Sequence, residues 1–154
     1  MTLEVGDRAP DFTLHDHTHS PVSLGEFAGS RLLLYFYPKA STPGCTTQAC
    51  DLRDRHNALE IAGWNIVGVS PDPVEKLQRF HAEHDLSFPL LSDEDHAVAT
   101  AYGAWGIKKN YGREYEGLIR STFAIGPSGT IERAWRNVKA AGHGDRMVRE
   151  LGSL

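Results

Sequence analysis

The only two cysteines of this 154-residue chain lie close together, at positions 45 and 50. They follow directly on an apolar, aromatic run that breaks at Pro38. A thiolate can act as a nucleophile, a redox group or a metal ligand, so the pair is the first candidate for chemistry. The C-x-x-x-x-C spacing matches neither a C-x-x-C redox motif nor an obvious zinc site. The elements around the two thiols must therefore explain the spacing.

Helical periodicity begins at Cys45 and continues to Glu60. Steps of four and three residues place five side chains on one face, Cys45, Ala49, Leu52, His56 and Leu59. A buried strand is predicted just before, over 31–37, and Pro43 and Gly44 end the intervening loop. Cys45 therefore falls in the first turn of a helix, where unpaired N–H groups and the helix dipole favour a thiolate. Its position predicts a reactive cysteine rather than a core filler.

The rest of the chain alternates strand and helix patterns and ends in a hairpin and a helix. Further strands are predicted over 65–69, 88–91, 121–125 and 130–135, the last two joined by a turn at 126–129. Further helices are predicted over 74–84, through Val98 and Tyr102 with a cap at Ser92 or Asp93, and over 145–151. The pattern predicts one α/β domain over residues 1–154, with a central mixed β-sheet flanked by helices.

Composition excludes several classes of partner. The formal net charge of −4 and the isoelectric point near 6.0 give no electrostatic reason to expect nucleic acid or an anionic membrane. The longest apolar run is far too short to span a bilayer, and the first residues lack the pattern of a signal peptide. A thiol pair in such a chain is typical of redox or metal chemistry in a reducing compartment. We therefore expect a cytoplasmic protein.

Pro38, Thr42 and Cys45 form a P-x-x-x-T-x-x-C signature within the string YPKASTPGCTTQAC. This string resembles the peroxiredoxins, which are thiol peroxidases on a thioredoxin-like fold, and in particular the PrxQ or bacterioferritin-comigratory-protein subfamily. The resemblance covers nearly the whole chain and includes VGDRAPDFTL, GVSPDP, FPLLSDED, AYGAWG and GLIRSTFAIGPSG. One departure is HDHTHS at 15–20, where relatives usually carry a glycine-containing hairpin turn, and it leaves the local turn open.

The resemblance implies a role for each matching residue. Cys45 resembles the peroxidatic cysteine that attacks the peroxide O–O bond, and Thr42 matches the threonine whose hydroxyl bonds the thiolate and the peroxide. Pro38 matches the proline that shields the pocket from water. Arg120 matches the arginine that stabilises the thiolate and orients substrate, a role that suits a permanent cation with several donors. Periodicity alone would instead favour a surface ion pair for Arg120.

Cys50 resembles the resolving cysteine of PrxQ relatives, which captures the sulfenic acid of Cys45 as an intramolecular disulfide, in the atypical 2-Cys manner. A regular helix would hold the two Cα atoms about 8.7 Å apart, whereas a disulfide needs them within about 7 Å. We therefore predict that the first turns of the helix unwind before the disulfide closes. The resemblance further implies a peroxide substrate, recycling by thioredoxin or a similar thiol reductant, a monomer, and no metal, flavin or haem. The alternative for Cys50 is a small buried hydrophobe.

Two other functions stay open on the residues alone, a protein-disulfide oxidoreductase on the same fold and a metal-binding or holdase-type stress protein. The alternating His15, His17 and His19 could hold a metal, although exposed hairpin polarity is favoured. His81 and His84 have a spacing that can chelate on a helix, but solvated polarity is again favoured. Trp105 and Tyr111 lie in the Gly- and Lys-rich segment GAWGIKKNYG, and they suit a substrate mouth or a packed loop equally well.

Overall fold

The computed structural model describes residues 3–110 and 112–151. Within these ranges the chain forms nine strands, four α-helices and one short 3-10 turn at Leu24–Phe27. The elements are β1 Thr13–Asp16, β2 Pro21–Ser23, β3 Arg31–Phe36, α1 Pro43–Ile61, β4 Trp64–Ser70, α2 Val74–Glu83, β5 Leu90–Ser92, α3 Ala97–Ala101, β6 Trp105–Asn110, β7 Arg113–Leu118, β8 Ser121–Ile125, β9 Ile131–Trp135 and α4 His143–Leu151. No helix in the described ranges is both long and apolar enough to cross a membrane.

Seven strands form one sheet in the order β2-β1-β5-β4-β3-β8-β9. Strand β3 pairs in parallel with β4, and β4 with β5, whereas β8 runs antiparallel on the other side of β3. The predicted mixed sheet is confirmed. In the register of β3 and β8, Phe36 faces Ser121. The chain leaving β3 and the chain entering β8 therefore meet at one edge of the sheet.

Strand β3 is buried on both faces, as its continuous apolar run predicted. Leu33 and Tyr35 pack into a cluster with α1, α2 and α4. Leu32, Leu34 and Phe36 pack on the opposite face, against α3 and the N-terminal segment. Helices therefore cover both faces of the sheet, and the helix that carries the two cysteines lies directly over the central strands.

Most of the predicted elements are present, with ends shifted by a few residues. Helix α1 begins at Pro43 and is continuous to Ile61, so it contains both cysteines. The N-cap position of α3 is His96 rather than Ser92 or Asp93, although the Asp93 carboxylate accepts hydrogen bonds from the N–H groups of Val98 (3.2 Å) and Ala99 (2.9 Å) in the first turn. The turn over 126–129 joins β8 and β9 as an antiparallel hairpin.

The structure shows the conformation of two segments that the sequence did not determine. The segment around GAWGIKKNYG contributes to a separate two-stranded antiparallel sheet, β6–β7, rather than to a plain packed loop. At the HDHTHS turn, which has no glycine, the Asp16 side chain stabilises the turn. Its Oδ1 accepts hydrogen bonds from the backbone N–H groups of Thr18 (2.8 Å) and Ser20 (3.0 Å), while His19 takes the left-handed φ of 66°.

Candidate active site

Cys45 lies in the first turn of α1, at the carboxyl end of the sheet. Thr42 is the N-cap residue in an extended conformation, and its carbonyl accepts the first helical hydrogen bond from the N–H of Thr46 at 2.8 Å. The Cys45 side chain is only 1% exposed and packs into the α1 face of the core. The sulfur is therefore held in a nearly dry environment at the positive end of a helix dipole.

The Arg120 guanidinium reaches the sulfur from the residue just before β8. Arg120 Nη2 lies 3.2 Å from Cys45 Sγ, and Nη1 donates a hydrogen bond to Gln48 Oε1. Strand register explains the approach, because Arg120 precedes Ser121, which pairs with the last residue of β3. Gly44 lies beside the guanidinium, since a Cβ at that position would be in contact with Arg120 Nη2 at 3.4 Å. The two ends of the guanidinium fork are therefore fixed by different side chains of α1.

Thr42 and Pro38 flank the thiol on the loop between β3 and α1. The Thr42 hydroxyl donates a 2.7 Å hydrogen bond to the carbonyl oxygen of Lys39. Pro38 follows the buried Tyr37 at the end of β3 and is itself half-buried. The structure thus gathers Thr42, Cys45 and Arg120 at one end of α1, with Pro38 at the start of the same loop.

Cys50 lies on the same helix but is not in contact with Cys45. Both thiols are free, and Cys50 is partly exposed whereas Cys45 is buried. Beside Cys50, Arg53 donates to the carbonyl oxygen of His84 at 2.6 Å, so the face opposite Arg120 is tied to the end of α2. Because α1 is continuous through both cysteines, a disulfide between them cannot form without a change in the helix, as the sequence predicted.

Two tyrosines and one lysine surround the thiol without offering a base. Burial raises the pKa of Tyr35 and Tyr37 well above the ordinary value, so both hydroxyls are neutral at physiological pH. Burial and the Arg120 guanidinium lower the pKa of Lys108, on which Cys45 acts in the opposite direction. Lys108 thus brings a second positive charge from β6 into the surroundings of the sulfur. Fixed cations and dipoles, rather than a proton acceptor, characterise this site.

The histidines take structural positions. His17 stacks on His81 with ring centroids 3.7 Å apart, and His84 packs edge-on against Phe80. His56 bonds Ser87 through Nδ1 at 2.6 Å, away from the thiol. Within the described ranges, no group of three or more histidine, cysteine or carboxylate side chains is placed to hold a metal ion. Trp105 stacks on His96 at 3.8 Å, and Tyr111 lies outside the described residues.

Comparison with known proteins decides the family. Residues 5–134 match the family model described as AhpC/TSA. The chain is 48% identical over 149 residues to Peroxiredoxin Bcp of Escherichia coli K12, which covers 97% of this chain and 96% of that protein. It is 46% identical over 154 residues to Peroxiredoxin Bcp of Bacillus subtilis, at 100% and 98% coverage. This chain belongs to the peroxiredoxin family.

Solved structures agree with the fold of this peroxiredoxin. Xylella fastidiosa PrxQ superimposes with a TM-score of 0.92 at 31% identity, covering 99% of this chain and 98% of the other. The Bacterioferritin Comigratory Protein of Xanthomonas campestris superimposes with a TM-score of 0.89 at 37% identity, covering 97% and 98%. The predicted thioredoxin-like fold is confirmed. As a peroxiredoxin, the protein is a thiol-dependent peroxidase that acts on peroxide and draws electrons from a thiol reductant.

Two residues near the thiol of this peroxiredoxin, Gln48 and Lys108, were not predicted from the sequence. Gln48 is fully buried and holds the far end of the Arg120 guanidinium. It follows Cys45 by three residues, so its place on the same helix face was readable, but its partner lies 72 residues away. Lys108 belongs to the segment that had no predicted strand. The sequence left open whether this segment lines a substrate mouth, and no pattern singled out Lys108 within it.

Proposed function

We propose that Cys45 is the peroxidatic nucleophile of this peroxiredoxin and that Arg120, Thr42 and Pro38 form its pocket. The observation that supports this most directly is the 3.2 Å contact between Arg120 Nη2 and Cys45 Sγ in the first turn of α1. A guanidinium and a helix N-terminus both stabilise negative charge on sulfur. Pro38 covers the loop side of the pocket, where it limits access of water to the thiolate.

In the first step, the Cys45 thiolate attacks the terminal oxygen of a hydroperoxide. The S–O bond forms as the O–O bond breaks, and the leaving alkoxide or hydroxide takes a proton from solvent. Negative charge moves from sulfur onto the departing oxygen. Because Arg120 is held beside the sulfur, its guanidinium is placed to stabilise that charge along its path, whereas the Thr42 oxygen, whose proton is bonded to Lys39, is placed to accept a hydrogen bond from the peroxide. The product is a Cys45 sulfenic acid.

In the second step, the Cys50 thiolate attacks the sulfenic sulfur, and hydroxide leaves as water after protonation. The resulting Cys45–Cys50 disulfide is intramolecular, which requires the first turns of α1 to unwind. A dithiol reductant then restores both thiols by exchange and is itself oxidised to a disulfide. We assign this role to thioredoxin or a similar protein, acting on a monomeric, single-domain and cytoplasmic enzyme without nucleic-acid or membrane partners. The chemistry needs no metal or other cofactor, because the sulfur atoms carry the electrons.

Organic hydroperoxides are included among the proposed substrates. The structure of the Xanthomonas campestris relative is described in connection with alkyl peroxide reduction. Hydrogen peroxide remains the smallest substrate of the same chemistry.

Stopped-flow consumption of hydrogen peroxide by the reduced protein tests these assignments. We expect Cys45→Ser to abolish the fast phase, because the nucleophile is lost. Cys50→Ser should keep the fast phase for one turnover and accumulate sulfenic acid, which dimedone labelling and mass spectrometry would detect. A Cys45→Ser protein that reacts as fast as the wild type would overturn the assignment of the nucleophile. A Cys50→Ser protein that turns over normally with thioredoxin would overturn the assignment of the resolving thiol.

A further inference from the structure

Asp72 is a buried carboxylate that the proposed chemistry does not use. It lies in the turn after β4 and is 5% exposed. None of the lysine, arginine or histidine side chains in the described ranges forms an ion pair with it. Burying an unpaired carboxylate is costly unless hydrogen bonds compensate. The donors that compensate it therefore indicate what the carboxylate is for.

One donor is local and the other comes from the active-site loop. Asp72 Oδ2 accepts a 2.8 Å hydrogen bond from the Ser70 hydroxyl, within the same turn. It also accepts a 2.7 Å hydrogen bond from the backbone N–H of Ala40, which is 32 residues away in sequence. Ala40 lies midway along the loop between β3 and α1 and is buried. The second bond therefore ties the carboxylate to the segment that carries Thr42.

The Lys39–Ala40 peptide group connects Asp72 to the Thr42 side chain. This peptide is trans, so its N–H and C=O point in opposite directions. The N–H end donates to Asp72 Oδ2, and the C=O end accepts the 2.7 Å hydrogen bond from Thr42 Oγ1. A hydrogen bond to a charged acceptor polarises the peptide and strengthens the bond at its other end. The hydroxyl proton of Thr42 is thereby committed to Lys39.

This arrangement determines which hydrogen bond the Thr42 hydroxyl can form with a peroxide. With its proton directed at Lys39, the Thr42 oxygen presents only lone pairs to the pocket. It can accept a hydrogen bond from the O–H of a hydroperoxide and so orient the terminal oxygen for attack. The intervening Ser41 takes a left-handed φ of 64°, an uncommon conformation for a residue with a side chain.

We propose that Asp72 is a positioning residue that fixes the Thr42 hydroxyl through the Lys39–Ala40 peptide group. The inference rests on the proposed roles of Cys45 and Thr42. The competing explanation is that Asp72 only closes its own turn, to which Ser92 also contributes by donating to the Asp72 carbonyl oxygen at 2.6 Å. The two explanations differ in what happens at Thr42 when the carboxylate is removed.

The test uses a Cys50→Ser background, in which Cys45 is the only thiol. Two rate constants are measured for each variant, oxidation by hydrogen peroxide and alkylation by iodoacetamide, which has no O–H for Thr42 to orient. We expect Asp72→Ala to slow peroxide oxidation about tenfold, the effect of losing one hydrogen bond in the transition state. Alkylation should change by less than about twofold, because the thiolate itself is not altered. Ser92→Ala, the control for the turn, should leave both rates within about twofold of the background protein.

A double-mutant cycle with Thr42→Val then asks whether Asp72 acts through the hydroxyl. In the Thr42→Val protein, Asp72→Ala should cause no further loss of the peroxide rate. Asp72→Asn keeps an acceptor for the Ala40 N–H but loses the charge, so when Thr42 is present it should slow the reaction only about threefold. If Asp72→Ala does not fold, the cycle is run with Asp72→Asn, where loss of the charge should slow the reaction about threefold only in the presence of Thr42.

Each other outcome overturns a specific statement. Asp72→Ala reacting as fast as the background protein, or slowing peroxide and iodoacetamide equally, would remove Asp72 from the positioning role. Equal losses in the Thr42 and Val backgrounds would show that Asp72 acts independently of the hydroxyl. If Thr42→Val alone leaves the peroxide rate unchanged, the proposed role of Thr42 fails, and the inference fails with it. A slow Thr42→Val protein beside a fast Asp72→Ala protein would overturn the inference alone.

Discussion

The Arg120 guanidinium contacts two side chains of α1, unlike a surface arginine such as Arg149. One end of the Arg120 guanidinium contacts Cys45 Sγ at 3.2 Å, and the other donates to the buried Gln48. Arg149, by contrast, pairs with Asp145 on the surface and is 68% exposed. A two-pronged contact requires a planar fork, which lysine lacks. The position of the charge, as well as its presence, should therefore matter for catalysis.

We expect Arg120→Lys to lower the second-order rate constant for peroxide by about tenfold or more, although the positive charge is kept. An ammonium on a flexible stem cannot contact the sulfur and Gln48 together. The measurement is stopped-flow fluorescence at several peroxide concentrations. Arg149→Lys is the control and should leave the rate unchanged. An Arg120→Lys protein with the wild-type rate would show that charge alone is sufficient.

At the scale of elements, the proposed mechanism requires α1 to be stable in the reduced enzyme and yet to unwind during turnover. The first turn of α4 lies against the part of α1 that would open. Asp51, next to Cys50, accepts hydrogen bonds on Oδ2 from the N–H groups of Gly144 (2.6 Å) and Asp145 (3.4 Å). A Cβ at Gly144 would lie 2.5 Å from the Asp51 carbonyl oxygen, so only glycine allows this approach. Asp51 thus caps α4 and restrains α1 at once.

We expect Asp51→Ala to speed formation of the Cys45–Cys50 disulfide about fivefold. Losing a helix cap destabilises the docked, helical state by about 1 kcal/mol and so favours unwinding. Faster resolution should leave less Cys45 sulfenic acid for further oxidation. The yield of sulfinic acid at high peroxide, measured by mass spectrometry, should therefore fall. The slower phase of stopped-flow fluorescence would report the disulfide step.

Asp54→Ala is the control for this prediction, since Asp54 is an exposed acid on the same helix that pairs with Arg53. It should change neither the disulfide step nor the yield of sulfinic acid. Unchanged kinetics in Asp51→Ala would mean that the docking of α4 does not limit unwinding. A slower disulfide step in Asp51→Ala would mean that the cap guides the closure of the disulfide.

At the scale of the whole molecule, periodic elements were predictable and tertiary contacts were not. The strands β3 and β8 are buried and α4 has a marked apolar face, whereas α1 is only weakly amphipathic; the predicted ends of all four are nearly those observed. The β6–β7 hairpin was missed because residues 113–116 of its second strand are all exposed, which leaves no buried alternation to detect. Arg120 was identified only through family resemblance, because no local pattern separates it from a surface arginine. Asp72 and Gln48 were missed for the same reason, since their partners are distant in sequence.

Buried histidines make the stability of the whole fold depend on pH. His143, at the start of α4, bonds Thr122 Oγ1 through Nε2 at 2.8 Å and is 2% exposed. Burial lowers its pKa to about 4. The charged groups that also act on it are Arg146, Asp51, Arg120 and Glu150. Burial likewise lowers the pKa of the stacked pair His17 and His81, which joins the β1–β2 hairpin to α2.

We expect the free energy of unfolding to fall as the pH drops from about 6.5 toward 4, the interval between the unfolded and folded pKa of His143. The unfolded chain binds the proton more readily there, so acid favours unfolding, and the full stability is present above that interval. For His143 alone, the loss at pH 5 relative to pH 8 should be about 2 kcal/mol. Urea denaturation of the reduced protein across this range measures it. His143→Gln should be less stable at pH 8 but should lose less on acidification, whereas the exposed His15→Gln should keep the full dependence. Equal acid losses in the wild type and His143→Gln would show that other groups carry the effect.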